Sequence, residues 1–392
     1  MKATGIIVEY NPFHNGHKYH LQKARETDPQ NTIIAIMSGD FVQRGEPSII
    51  DKWTKTKMAL ANGVDMVVEL PVFYSSQSAE IFAKGAVGIL EELQCDSLFF
   101  GSESGDIEDL KRISTLQESD VFKANLKKRL KEGLSYPTAH SLTMREILGE
   151  KELNSNDILG LEYIKAINYW QSKIVPKTLK REKVGYHDTN IIGNFASATK
   201  IRDSIRNQQD FQNIVTPESF NILKEYANFT SIERFYPLIR YELIKNYRNL
   251  SEIQDLEIGF ENRLYENALK FENYEDFFKN ITNKRYTLGR TQRVLMHILL
   301  GLTCKITEQV KKEIPYVKIL GFNNRGREYL NFLKGTNNKK IITSYKKMNE
   351  TFSEEVCSLI EFNENCSKLY RLINSYQEYK IPIIYREDII NE

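Results

Sequence analysis

The sequence predicts an α/β protein: a parallel-sheet domain over residues 1–215, then a mainly helical, basic domain over 216–392 with a small α/β end. Three observations carry this. The first hundred residues alternate short apolar runs with helix-compatible stretches, as a parallel sheet with right-handed crossovers requires. After about residue 215, long amphipathic patterns take over. Charge is uneven: residues 281–350 hold 15 Lys and Arg against 4 Asp and Glu, a net of +11, and residues 351–392 hold 4 against 8, a net of −4. The local excess points to a polyanionic partner for one part of the chain, although a solvated lysine-rich surface would read the same way.

"ATGIIVEY" reads as the first strand and residues 17–27 as a helix. "TIIAIMSG" follows as a strand, with a helix near 51–62. "DMVVELP" precedes a helix near 77–93, and "DSLFFGSE" closes the set. Residues 106–170 read as mainly helical, and "KIVPKTLKRE" as one more strand. "SATKIRDSIR" is a helix with Ser197 as its N-cap. In the second half, "SFNILKEYANF", "RYELIKNYRNL", "NRLYENALKFENYEDFFKNI" and "RTQRVLMHILLGL" are amphipathic helices. "YVKILGFNNRGREYLNFLK" is a strand, turn and helix, and "KIITSYKKM" and "IPIIY" are further strand candidates.

Several classes are excluded. Cys95, Cys304, Cys357 and Cys366 form no CxxC pair and lack a nearby His at zinc spacing, so no structural metal and a reducing compartment are expected. Glu9 interrupts the first apolar run too early for a signal peptide, and "VLMHILLGLTC" is too short to span a bilayer. The expectation is a soluble, cytoplasmic protein with no membrane contact and no protein partner.

The segment "GIIVEYNPFHNGHKYH" carries the strongest chemical signal. Asn11, Pro12, Asn15 and Gly16 are turn formers between a buried strand and a helix. His14 and His17 therefore sit at a strand's carboxyl end and a helix N-terminus, where free N–H groups favour an anion. Gly16 between them removes a Cβ that would keep a ligand from the backbone. Two N–H donors aimed at a phosphate can stabilise a pentacoordinate phosphorus. In "FFGSES", Gly101 and Ser102 end a strand with small residues, which lets a flat base or ribose approach. In "NFASATKIR", Ser197, Thr199, Lys200 and Arg202 form a phosphate cradle without a Walker sequence. Asp40, Gln43 and Arg44 lie on a segment able to fold over the site. Asn156, Asp157, Arg181 and His187 are ordinary loop residues taken singly.

"HNGH" together with "SATKIR" resembles the HxGH nucleotidyltransferase superfamily. "GIIVEYNPFHNGHKYH", "MSGDFVQRGEPSIIDKW", "GSES", "SNDILGLEY" and "GYHD" resemble, more narrowly, the bacterial tRNA(Met) cytidine acetate ligase family. The resemblance spans residues 1–205 and continues through "RYTLGRTQRVLMHILLG" and "ILGFNNRGRE". It implies a Rossmann-like first domain and a ligase that activates acetate with ATP, giving acetyl-adenylate and pyrophosphate. The N4 amine of the wobble cytidine of elongator tRNA(Met) then takes the acetyl group, giving N4-acetylcytidine.

The same resemblance implies ATP contacts from Ile7, Val8, Glu9, Tyr10, Asn11, Pro12, Phe13, His14, Asn15, Gly16, His17, Lys18, Tyr19 and His20. It adds Gly101, Ser102, Asn156, Arg181, Ser197 and Thr199, with His14, His17 and Arg202 as the catalytic set. ATP is the substrate, with Mg²⁺ expected beside it and no dedicated metal ligands. Within such a family the basic stretch is an RNA surface, with Lys284, Arg285, Arg290 and Arg293 on phosphates and Tyr286 stacking on a base. An adenylyltransferase acting on a small metabolite would share the HxGH and phosphate-helix motifs but needs no basic surface. A non-catalytic RNA-binding protein would not need His14, Gly16, His17, Ser197 and Arg202 intact.

Overall fold

β1 (Ala3–Val8) lies inside one sheet, and its neighbours on both sides explain why its residues, Thr4 included, are almost all buried. It pairs in parallel with β2 (Thr32–Ser38), from Ala3 opposite Thr32 to Val8 opposite Met37, and with β6 (Ser97–Ser102) on its other side. β5 (Met66–Leu70) pairs in parallel with β2, and β7 (Val175–Lys180) with β6. Between β2 and β5, β3 (Phe41–Val42) and β4 (Glu46–Pro47) make a separate small hairpin. The coordinates are a computed structural model and describe residues 1–134, 136–149, 153–181, 194–283, 285–336 and 338–386.

Helices cover both faces of the sheet. In the first half they are α1 (Asn15–Thr27), α2 (Lys52–Ala61), α3 (Val72–Ser75), α4 (Ala79–Glu92), α5 (Ile107–Glu118), α6 (Asp120–Lys131), α7 (Tyr136–Leu148), α8 (Ser155–Tyr169) and α9 (Ala198–Arg206). The period of two along the strands divides the core. Ala3, Ile34 and Ile36 pack on the α4 and α8 side, whereas Ile6, Val8, Ile33, Ala35 and Met37 pack with residues of α1, α2 and α9 on the other.

The second half forms α10 (Pro217–Glu225), α11 (Ile232–Lys245), α12 (Phe260–Lys270), α13 (Tyr274–Ile281) and α14 (Leu288–Leu300), with a third core around Phe235, Ile239, Leu264, Phe277 and Leu295. After α15 (Cys304–Val310) the chain returns to the first sheet. β8 (Val317–Phe322) runs antiparallel against β5, and α16 (Asn324–Lys334) follows it. β9 (Ile341–Ile342) and β10 (Ile383–Ile384) pair in parallel with β8, flanking α17 (Met348–Thr351) and α18 (Glu354–Ile373). The strands expected in the C-terminal part are thus present, but they extend the N-terminal sheet, which makes it mixed at that edge.

A buried charge cluster ties the returning chain to the sheet. Lys318 on β8 lies 3.2 Å from Glu69 on β5 and 2.7 Å from Glu364 on α18, and Lys52 on α2 is 3.2 and 3.8 Å from the same carboxylates. Burial works against all four charges, but the lysines hold the Glu69 and Glu364 carboxyls below their ordinary range. Removing one partner leaves an uncompensated charge. Lys318→Met is therefore expected to destabilise the protein by about 3–5 kcal/mol in urea unfolding; a change within experimental error would show that the cluster carries no net stability.

Candidate functional site

The five parallel strands run in the spatial order β5-β2-β1-β6-β7. From β1 the chain moves outward to β2 and then β5, while β6 and β7 lie on the opposite side. The strand order therefore reverses between β1 and β6, and the crevice beyond their carboxyl ends is where such sheets bind ligands. One lip of that crevice is Glu9–His14 leading into α1. The other is Gly101–Gly105 leading into α5. The N-terminus of α9 is held against the first lip, because the Asn15 amide donates to the Asn194 carbonyl at 2.7 Å and the Asn213 carbonyl at 3.0 Å. The segment leading into α9 therefore lies beside the first residue of α1.

His14 and His17 do more than flank a turn. α1 begins at Asn15, two residues earlier than the sequence indicates, because His14 is its N-cap. The Gly16 N–H donates to His14 Nδ1 at 3.1 Å, and the His14 N–H donates to His17 Nδ1 at 3.3 Å. This is a capping box built from two imidazoles. The rings stack 3.7 Å apart. A Cβ at Gly16 would come 2.9 Å from the His14 ring, so this glycine makes room for the cap itself.

An Nδ1 that accepts must carry its lone pair, so the hydrogen-bond network assigns the neutral Nε2–H tautomer to both rings. Burial, helped by the Arg181 and Arg202 charges, pulls His14 down to about 3. Burial and the His14, His20 and Arg181 charges hold His17 well below its ordinary value, and burial with Arg181 lowers His20 to about 4. The site presents neutral N–H donors beside guanidinium charge.

The other expected residues divide between those at the crevice and those that build it. Gly101 passes under the Arg181 side chain, where a Cβ would lie 3.2 Å from Arg181 Cγ. The Ser102 hydroxyl accepts from the Gly105 N–H at 2.7 Å and so shapes the second lip. Asn156 is fixed by Glu103, whose carboxylate accepts from the Asn156 side chain at 2.6 Å and the Asp157 N–H at 2.9 Å, capping α8. Ser197 caps α9 through the Lys200 N–H.

Arg202 is 7 % exposed. It donates to the Asn11 carbonyl at 3.0 Å and to Thr199 Oγ1 at 3.3 Å, and lies 3.2 Å from Glu46. Its hydrogen bonds thus brace the first lip from behind. Tyr10 and Phe13 are core residues, Lys18 donates to the Asn62 carbonyl, and Tyr19 packs edge-on to Phe195. His187 lies outside the described residues.

Sequence reasoning missed Lys55. It is fully buried and donates to the Ser38, Gly39 and Glu9 carbonyls at 2.8, 2.7 and 3.1 Å. A lysine on a helix reads as solvated, and nothing in "DKWTKTK" marks it as different. Burial lowers it to about 8, against the pull of Asp40 and Glu9, so at neutral pH it remains largely an ammonium. Glu9, also desolvated and raised, accepts from the Gln43 N–H at 2.8 Å. Asp40 is buried as well, its carboxylate accepting from the Lys52 N–H and the Tyr376 hydroxyl. Among the described residues, no group of three His, Cys, Asp or Glu side chains is placed to hold a metal.

The arginines singled out in the basic stretch are engaged or buried within the protein. Arg285 and Arg290 both pair with Glu257, Tyr286 stacks on Phe260 at 3.9 Å, and burial lowers the Arg293 guanidinium pKa. Lys284 lies outside the described residues. The α14 backbone at Gln292 and Arg293 packs against Gly45, whose φ of +75° and lack of a Cβ the contact requires. No helix among the described residues is long and apolar enough to cross a membrane.

A parallel sheet with a histidine-capped helix at its switch point defines a nucleotidyltransferase-type α/β protein. Residues 1–381 match the HIGH Nucleotidyl Transferase family. The tRNA(Met) cytidine acetate ligase of Fusobacterium nucleatum is 49% identical, with 98% of this chain and 99% of that protein aligned. That of Caldicellulosiruptor saccharolyticus is 43% identical over 97% and 95%. The crystal structure of Thermotoga maritima TmcAL bound with alpha-thio ATP superposes with a TM-score of 0.89 at 31% identity, covering 98% of this chain and 100% of that one. The chain belongs to the tRNA(Met) cytidine acetate ligase family of HIGH nucleotidyltransferases.

Two outcomes are expected from this geometry. Nitrogen NMR should show His14 and His17 as neutral Nε2–H tautomers down to about pH 5, well below the ordinary histidine range; protonation near pH 6.5 would contradict the capping network. Lys55→Met should cost at least about 2 kcal/mol in thermal or urea unfolding, since it orphans buried carbonyls, and should raise KM for ATP.

Proposed function

We infer that this chain is an ATP-dependent tRNA(Met) cytidine acetate ligase. The observation that carries the reading is the switch point of the sheet, where His14 and His17 cap α1 as neutral Nε2–H tautomers beside Arg181 and Arg202, and Asn15 holds the approach to α9. A carboxylate attacking phosphorus needs such donors more than it needs a protein nucleophile. An acetate oxygen attacks the α-phosphorus, the bond to the bridging oxygen breaks, and pyrophosphate leaves. The cytidine N4 then attacks the acetyl carbon, AMP departs with the bonding pair, and N4 gives up one proton.

In this reading His14 and His17 donate to phosphate oxygens, and Ser197 and Thr199 place the start of α9 beside the β- and γ-phosphates. Gly101 lets the nucleoside approach the second lip, and Asn156 and Arg181 border it. Arg202 is assigned a positioning role through Asn11 and Thr199. Mg²⁺ enters with the ATP phosphates. We further assign RNA contact to the 284–293 segment, through the exposed side of Arg285. A reaction on tRNA fits a protein that works in the cytoplasm.

Loss of one donor to a transition state costs about 10²–10³ in rate. His17→Ala is expected to lower acetate-dependent ATP–pyrophosphate exchange by that factor with the fold intact. His14→Asn keeps a good N-cap but changes the donor, so it should lose exchange without losing stability. Near-normal exchange in both variants would remove the histidines from the mechanism.

A further inference from the structure

The connection between β6 and α8 is an inserted run of three helices, α5 to α7, and both its ends are tied to the crevice. It leaves through Ser102–Gly105, the second lip, and returns to α8, whose N-terminus Glu103 caps. Within it α6 has two faces. Phe122 is buried and Leu126 packs on the same core, so these two, one turn apart, fix the inner side. Lys123, Lys127 and Lys131 recur at i, i+4 and i+8, so they share one face, and Lys128 flanks them; all four are exposed. Residues 120–131 carry five cations and one anion, a net of +4 in twelve residues.

These lysines differ from the arginines of the 285–293 segment. Arg285 and Arg290 share the Glu257 carboxylate. On α6, Arg129 pairs with Glu146, but among the described residues no acidic side chain is within ion-pair distance of Lys123, Lys127, Lys128 or Lys131. Successive lysines of the stripe are spaced by about 6 Å along the helix axis, close to the step between neighbouring phosphates of one RNA strand. A stripe of unneutralised ammonium groups at that interval fits a polyanionic backbone better than a compact anion, which one or two of them would satisfy.

We propose that the exposed lysine face of α6 docks the sugar-phosphate backbone of the tRNA substrate while the base to be modified enters the crevice. This rests on the reaction inferred above and adds a surface to it. The contacts position the RNA without reading its sequence, because phosphates carry no base information. They act through charge and counterion release, so they must appear in the salt dependence of binding.

The test is the triple variant Lys123→Ala, Lys127→Ala, Lys131→Ala in the full-length protein, beside a triple Lys→Arg control. Alanine suits an exposed helix, and circular dichroism checks the fold. Binding of a tRNA(Met) transcript is titrated at several salt concentrations. The alanine variant is expected to bind roughly tenfold more weakly, with a slope of log K against log salt shallower by about 2 to 3, as for three lost phosphate contacts. The arginine variant should keep both values, and acetate-dependent ATP–pyrophosphate exchange should be unchanged in all three proteins. An alanine variant with wild-type affinity and slope overturns the proposal and makes α6 a solvated face. Failure of the wild-type protein to acetylate the transcript instead counts against the inferred reaction, which the binding titration does not depend on.

Discussion

The site depends on where three backbone carbonyls go. Ser38, Gly39 and Glu9 lie where β1 and β2 end, and their carbonyls converge on one buried ammonium, Lys55. A lysine has three N–H donors, and here each has a carbonyl. Without it those carbonyls would be left buried and unpaired. With it, β1 and β2 end at a common level, and the chain beyond Glu9 has a fixed origin from which to turn into His14. Asn11 takes over from there: its side-chain oxygen accepts from the Ser48 hydroxyl and the Ile49 N–H, and its own carbonyl accepts from Arg202. The first lip is therefore held by α2 from one side and α9 from the other.

The same region connects to the rest of the molecule through the β3–β4 hairpin. Gln43 binds Glu9, Glu46 lies beside Arg202, and Gly45 rests on the α14 backbone. The hairpin thus touches both the crevice and the helical lobe within seven residues. On the far side, Lys318 and Glu364 bring the C-terminal strand and helix into contact with Glu69 and Lys52. The helical lobe is inserted between sheet elements that are locked on both sides, so its placement relative to the crevice is set by packed contacts at two points.

Much of the first half was legible in the sequence because buried parallel strands leave near-continuous apolar runs and their helices leave caps. β1, β2, β5 and β6, and the helix capped by Ser197, all fall where the pattern puts them. The histidine pair was legible as a site at a helix start, but its capping role was not. A cap made by imidazoles has no composition signal of its own, whereas Ser or Asp would have advertised it. The C-terminal strands were legible as strands and not as members of the first sheet, since pairing across more than two hundred residues leaves no local trace. Lys52, Lys55 and Lys318 were invisible for a related reason. Lysine is ordinarily exposed, and only the tertiary arrangement of Glu69, Glu364 and the strand-end carbonyls makes their burial tolerable.

The neutral state of the histidines fits a two-step reaction better than two fixed charges would. A permanent cation pair would hold pyrophosphate and AMP as firmly as ATP, and binding that does not discriminate between ground state and transition state does not speed the chemistry. A neutral Nε2–H can still donate to a phosphate oxygen, and such a bond strengthens as charge builds on that oxygen in a transition state. The capping box keeps it neutral, because protonating Nδ1 would break the hydrogen bond to a backbone N–H and leave that group unpaired. Burial adds to this, and the guanidinium charge of Arg181 and Arg202 opposes a further positive charge. The feature that starts α1 is therefore also the one that sets the protonation state of His14 and His17.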